Sequence, residues 1–168
     1  MMKKFLSAAV AASGLFVLTA QKPDPPAVFT AAQAEAGRKA FQDKGGTSAN
    51  PEAACAYCHT VALTGRNGDP GELPPLSSLN PALQKNIEGM GGIVPPLAGE
   101  KFMRVWGAKT TQDLVERIKI AAGPDQDTAL NLAAYILQFN GAKSGEQALT
   151  AATAVEIRSV AAGAPDRH

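Results

Sequence analysis

Both cysteines of the chain and one of its two histidines fall within five residues, Cys55-Ala56-Tyr57-Cys58-His59. Concentrating the soft, metal-loving side chains at one point constrains the fold more than any other feature. The rest of the chain has to be arranged around whatever these three residues hold. A zinc site uses the same residue types but needs a fourth ligand. No second cysteine or histidine cluster supplies one, and His168 is the last residue of a ragged end. A thioredoxin-like redox pair belongs in a βαβ setting, and no such setting is visible here. A plain structural disulfide leaves the adjacent histidine unexplained.

The beginning of the chain bears on the choice. Lys3 and Lys4, the mostly apolar run Phe5 to Leu18 and the small residues of Thr19-Ala20-Gln21 read as an export signal over residues 1–20. The run is short for a membrane span, which needs about 20 apolar residues, so membrane attachment is expected only if the signal stays uncleaved. No cysteine follows the run, so a bacterial lipoprotein is not expected. Export to the bacterial periplasm puts Cys55 and Cys58 in an oxidising compartment, where free thiols rarely persist unoccupied. Without Lys3 and Lys4, 14 basic residues remain against 15 acidic ones. Near-neutrality gives no pull toward nucleic acid or an acidic membrane.

The C-x-x-C-H spacing is that of c-type haem attachment. Two thiols on one turn can add to the two vinyl groups of a haem. The next residue then lies under the ring, where a histidine nitrogen can bind the iron. One haem c per chain is expected, held by Cys55 and Cys58 and ligated by His59. Covalent attachment keeps the group in a domain too small to enclose it fully.

Around the motif the pattern is helical. Residues 21–28 read as a linker. Phe29 to Lys44 is rich in helix formers, with apolar residues at helical spacing and Gly45-Gly46 as its stop. Asn80 to Ile87 suits one or two turns, with Pro81 at a first helical position. The remainder of 61–94 holds many glycines and prolines and is expected to be irregular and mobile. Glu100 to Trp106 reads as a short helix. Thr110 or Thr111 caps the next, with a stripe of Leu114, Val115, Ile118 and Ala121 ending at Gly123-Pro124. A third helix spans Thr128 to Asn140, and Thr150 to Val160 suits a last one. No stretch alternates with the period of a strand, so the fold is expected to be all-α.

On these residues the chain resembles the class I cytochromes c, most of all the cytochrome c subunits and domains of bacterial quinoprotein alcohol dehydrogenases. The resemblance covers about Ala32 to Val160. It rests on the motif, on "PPLAGEKFMRVWG", on "TTQDLVERI" and on "LNLAAYILQFNGAKSG", in that order. It implies a small helical domain over 29–142 with an inserted loop at 61–94, and a C-terminal extension at 143–168. It implies that Gly37 lets the first helix cross the last one closely, with Leu132 and Tyr135 facing it. Pro95 and Leu97 correspond to the loop under the haem, where the proline carbonyl accepts a hydrogen bond from the proximal histidine. Trp106 corresponds to a tryptophan at the haem edge.

Two departures are insertions, one before Cys55 and one between His59 and Pro95, and loops tolerate length cheaply. The third concerns the second iron ligand, which in the family is a methionine between the last two core helices. The corresponding stretch, "ERIKIAAGPDQDTA", has none and places Ala122 at that position. Four candidates remain for the sixth position: Met90 in the insertion, Met103 on the short helix, a deprotonated Lys119, or an open iron. Met1 and Met2 leave with the signal.

The resemblance implies an electron carrier rather than an enzyme, exchanging electrons with a redox partner protein such as a quinoprotein dehydrogenase or a terminal oxidase. Lys101, Arg104, Lys109 and Lys119 are candidates for a docking face, against the plainer reading of solvated helix surfaces. An open iron at Ala122 instead implies a protein that binds or senses small ligands. A peroxidase-like enzyme needs a distal acid–base residue, for which only Glu116 and Asp125 offer themselves.

Overall fold

A computed structural model describes residues 25–43, 54–67 and 75–161. The expected signal, most of the linker, Gly45-Gly46 and His168 lie outside the described residues. Helix α1 (Ala31–Gln42) begins at a capping box in which Thr30 and Gln33 bond each other's backbone N–H groups. Helix α2 (Cys55–His59) is the motif itself. A two-residue strand β1 (Arg66–Asn67), a 3₁₀ turn at Leu76–Ser78 and helix α3 (Pro81–Gly89) follow. Then come β2 (Ile93–Val94), α4 (Gly99–Trp106), α5 (Thr111–Ala122), α6 (Gln126–Phe139) and the single turn α7 (Ile157–Val160). The described chain is mostly helical and all-α in class.

The crossing of α1 and α6 dominates the packing. Gly37 is the reason they approach closely. A Cβ there would overlap the Asn131 carbonyl oxygen and lie 2.9 Å from Tyr135 Cβ. Phe41, one turn on, is buried with its ring centroid 5.4 Å from that of Tyr135. Leu114 and Val115 of α5 and nearly the whole of α6 from Ala129 to Leu137 complete one continuous core. α5 starts at the Thr110 cap and ends at Gly123, whose φ of +65° reverses the chain. Asp125 then caps α6, donated to by Thr128 N–H at 2.8 Å.

Three expectations need correction. The segment 61–94 is not plain loop in its described parts. β1 and β2 pair antiparallel at its neck, Arg66 opposite Val94 and Asn67 opposite Ile93. Beyond the neck, Leu79, Leu83, Ile87 and Val94 form a second, smaller core. Two-residue strands are too short to show alternation in sequence, so no periodicity announces the ladder. Second, Thr150 to Val160 is helical only from Ile157. Its backbone is committed elsewhere: Leu149 N–H donates to Gln33 Oε1 at 2.7 Å, Thr111 N–H to the Val155 carbonyl at 2.9 Å, and Ile157 N–H to the Lys109 carbonyl at 2.9 Å. Leu149, Ile157 and Val160 are buried, so this tail closes the main core. Third, the linker read over 21–28 is part of the fold at its end, since Val28 is buried in the main core.

Candidate functional site

Helix α2 is five residues long, too short to persist on its own. It is held between the two cores. Cys55 and Ala56 pack on the main cluster, whereas Tyr57 and Cys58 pack on the smaller cluster of 76–94. Both cysteines are half-buried and free of any disulfide. Burial pushes the Cys55 thiol up to about 11, and the neighbouring Cys58 adds to the rise. Burial raises Cys58 as well, with the Arg66 guanidinium pulling the other way. Both are therefore neutral thiols at pH 7. A redox-active pair needs the opposite, a thiol lowered toward the thiolate.

His59 is oriented through its ring. Its Nδ1 lies 3.0 Å from the Pro95 carbonyl oxygen. A carbonyl can only accept, so Nδ1 carries the hydrogen and Nε2 keeps its lone pair. Burial lowers the affinity of the ring for a second proton, although the Pro95 contact opposes this. The imidazole is thereby kept neutral and offers one defined ligand atom. The Phe41 ring stands beside it, centroids 6.5 Å apart.

A tight turn connects His59 to the loop that holds it. Thr60 has φ +63° and ψ 161°, a region normally left to glycine, and costs about 1–3 kcal/mol in strain. The surrounding bonds fix it. Thr60 Oγ1 accepts from Thr64 N–H at 3.2 Å, and Gly65 N–H donates to the His59 carbonyl at 3.0 Å. Leu97 N–H then donates to the Leu63 carbonyl at 2.8 Å, fastening the Pro95 loop to this turn. Gly65, with φ +73°, is required because a Cβ would collide with the Val94 carbonyl and come within 2.8 Å of Pro95 C.

Two residues that sequence reasoning passed over complete the frame. Asn140 is fully buried. Its Nδ2 donates to the Leu97 carbonyl at 2.9 Å and to the Ile136 carbonyl at 2.8 Å, and its Oδ1 accepts from Gly99 N–H at 3.0 Å. In sequence it looks like an ordinary helix stop. Arg66 is 3% exposed, and its Nε donates to the Tyr57 carbonyl at 2.7 Å. A buried arginine in a glycine-rich stretch gives no periodic signal.

The other expected residues are dispersed. Leu97 and Trp106 are half-buried against the main core. The Trp106 ring stacks on Phe102 at 6.3 Å and carries Lys109 Nζ 4.4 Å from its centroid. Met103 packs against the main core on α4, and Met90 is 52% exposed at the end of α3. Ala122 is the last residue of α5 and is half-buried. Gln126, at the start of α6, has a buried Nε2 with no hydrogen-bond partner among the described residues. Of the four candidate docking cations, Arg104 pairs with Glu100 at 3.2 Å, Lys119 with Glu116 at 3.4 Å, and Lys109 lies on Trp106. Glu116 and Asp125, the candidate distal acids, are thus already engaged, one with Lys119 and one as a helix cap.

Among the described residues no group of three or more His, Cys, Asp and Glu side chains converges as a metal-binding cluster, and no helix is long and apolar enough to cross a membrane. No family model, curated protein or solved structure matches the chain.

Proposed function

We propose that this chain is a mono-haem c-type cytochrome of the bacterial periplasm, a helical electron carrier working between a dehydrogenase and a respiratory acceptor. The observation that carries the reading is the pairing of His59 Nδ1 with the Pro95 carbonyl at 3.0 Å, on the same short helix as two unbridged thiols. A zinc site needs four converging donors, which the described residues do not offer. A haem makes a different demand. Its two sulfurs bond carbon at the porphyrin rim, and only one protein nitrogen needs to face the iron.

The residues present fit that demand. Cys55 and Cys58 are the covalent anchors, one against each core. His59 Nε2 is the iron ligand, with Pro95 fixing its tautomer and raising its basicity. Phe41, beside the His59 ring, and Leu97, tied to the turn that follows it, supply apolar surroundings, which raise the electrostatic cost of a change in charge and so influence the potential. The haem, when bound, supplies reversible one-electron chemistry. The protein contributes a rigid frame, since a neutral, hydrogen-bonded imidazole has no reason to change its position when the electron arrives. Redox partners of such carriers bind through small, transient interfaces. The test is mass analysis and oxidised and reduced spectra of protein exported by a host competent in cytochrome maturation. Covalent porphyrin mass and a reducible Soret band are expected. A chain without added porphyrin mass sinks the reading.

A second reading, a haem protein with an open distal iron that binds small ligands, is favoured by Gln126. A buried donor without a partner costs about 1–3 kcal/mol. It lies in the same α5–α6 connection as Ala122. A polar ligand bound there would satisfy it. Carbon monoxide added to the reduced protein is expected to shift the Soret band on this reading. An unshifted band, with the weak far-red methionine band in the oxidised form, sinks it and points to Met90 or Met103.

A further inference from the structure

Arg66 is buried at the neck of the 61–94 segment, and electron carriage as such gives it no task. We propose that Arg66 is a positioning residue for His59, a latch that holds the C-terminal end of α2 at a fixed distance from the Pro95 carbonyl. The inference rests on His59 being the iron ligand.

Four links form a closed ring. Arg66 Nε donates to the Tyr57 carbonyl at 2.7 Å. This carbonyl is among the last four of α2, which lack partners within the helix. The Arg66 backbone is paired with Val94 across the two-residue ladder. Val94 precedes Pro95, whose carbonyl takes the His59 Nδ1–H at 3.0 Å. His59 is two residues beyond Tyr57, which closes the ring. The imidazole is thus gripped from the ring side by Pro95 and from the backbone side by Arg66, and both grips are mounted on one ladder. If the Arg66 bond is lost, the end of α2 keeps the Gly65 N–H bond to the His59 carbonyl but loses its second backbone tether and can shift relative to Pro95. The Nδ1–H bond is the link that lengthens.

The geometry allows charge and latch to be separated. Glutamine places an N–H donor where Arg66 has Nε, without the charge. Lysine places a methylene there and keeps the charge beyond it. Methionine has neither donor nor charge. Arg66→Lys is compared with wild type at equal charge, and Arg66→Gln with Arg66→Met at equal charge. A weaker Nδ1–H bond makes the imidazole less basic, and a less basic ligand stabilises ferric iron less. The latch therefore predicts a higher reduction potential in Arg66→Lys than in wild type, and in Arg66→Met than in Arg66→Gln. Loss of positive charge acts in the opposite direction, toward a lower potential.

The experiment measures reduction potentials of the four haem-loaded proteins and, in the reduced form, the solvent exchange of the His59 Nδ1–H proton by NMR. Exchange about tenfold faster in each protein without the latch is expected, the effect of losing one hydrogen bond. Potentials that follow charge alone, with wild type equal to Arg66→Lys and Arg66→Gln equal to Arg66→Met, overturn the latch. So does unchanged proton exchange accompanied only by lower thermal stability. Should Arg66→Met fail to fold, the Arg66→Lys comparison decides by itself. Absence of covalent haem from the wild type, read by mass, overturns instead the assignment of His59 on which the latch stands.

Discussion

Gly37→Ala sets two effects of opposite sign against each other at the crossing of α1 and α6. Gly37 lies inside α1, where alanine is the better helix former by about 1 kcal/mol. Propensity alone predicts stabilisation. The crossing predicts the reverse, because the new methyl group would overlap the Asn131 carbonyl and stand 2.9 Å from Tyr135 Cβ. Carbon pairs prefer about 3.5–4.0 Å, so the Tyr135 contact alone asks for a parting of roughly an ångström and the Asn131 overlap asks for more, and gaps of even the smaller size forfeit a quarter to a half of each contact's dispersion energy. The obstacle is helix backbone, which cannot swing away as a side-chain tip can. Overpacking of this kind costs about 1–3 kcal/mol and occasionally more. Phe41, Leu132 and Tyr135 are all buried at or near the crossing, so the upper part of that range applies. Subtracting the propensity gain leaves a net loss of about 1–2 kcal/mol, or roughly 2–8 °C in Tm. Thermal and urea unfolding of the exported protein measure it. Ala36→Gly, on the exposed face of the same helix, serves as the propensity reference and should lose about 1 kcal/mol. A Gly37→Ala protein as stable as wild type, or more so, would refute the close crossing.

Other perturbations test the frame around His59 and the ends of the helices. Asn140→Ala leaves the Leu97 carbonyl and Gly99 N–H without their partner and is expected to cost about 2–3 kcal/mol in urea unfolding. Asn140→Asp should be worse at neutral pH, because a carboxylate faces two carbonyls it cannot donate to, and it should partly recover in acid. Equal stability of these two variants at pH 7 would contradict the assigned bonds. Asp125 is held below the ordinary carboxylate range, chiefly by the Thr128 backbone N–H and then by its hydroxyl. Its folded value is depressed, so its contribution is present above the unfolded value and is lost as pH falls through the folded one. The Tm gap between wild type and Asp125→Ala should therefore close in acid. A gap independent of pH would exclude the ionised cap. Phe41→Leu should loosen the packing beside His59 and cost about 1 kcal/mol, and Phe41→Ala about 3–5 kcal/mol, by the same unfolding assay.

The local features of the helices were legible because each is carried by neighbouring residues. Pro81 at the first position of α3, the Thr110 cap and the Gly123 stop each act within a turn or two, and all three are where the sequence puts them. Gly37 was legible through the resemblance, and the structure supplies the reason in the Asn131 backbone. The missed features are those in which partners lie far apart in sequence. Gln33 and Leu149 are 116 positions apart, and Asn140 and Leu97 are 43 apart. Nothing in either neighbourhood announces the other.

The amino-acid order by itself determined where the chemistry is concentrated. Two thiols and an imidazole on one helical turn are a property of five consecutive residues, and no folding is needed to bring them together. Helical class followed in the same way from caps and periodic stripes. The resemblance pointed to the Pro95 carbonyl as the partner of His59, but only the tertiary structure decided that the carbonyl reaches Nδ1 across 36 residues and leaves Nε2 free. It also gave the described parts of the glycine-rich 61–94 segment a short ladder and a small core of their own. Short-range order depends on propensities that neighbouring residues express, whereas the orientation of a ring depends on which distant backbone group happens to be packed beside it.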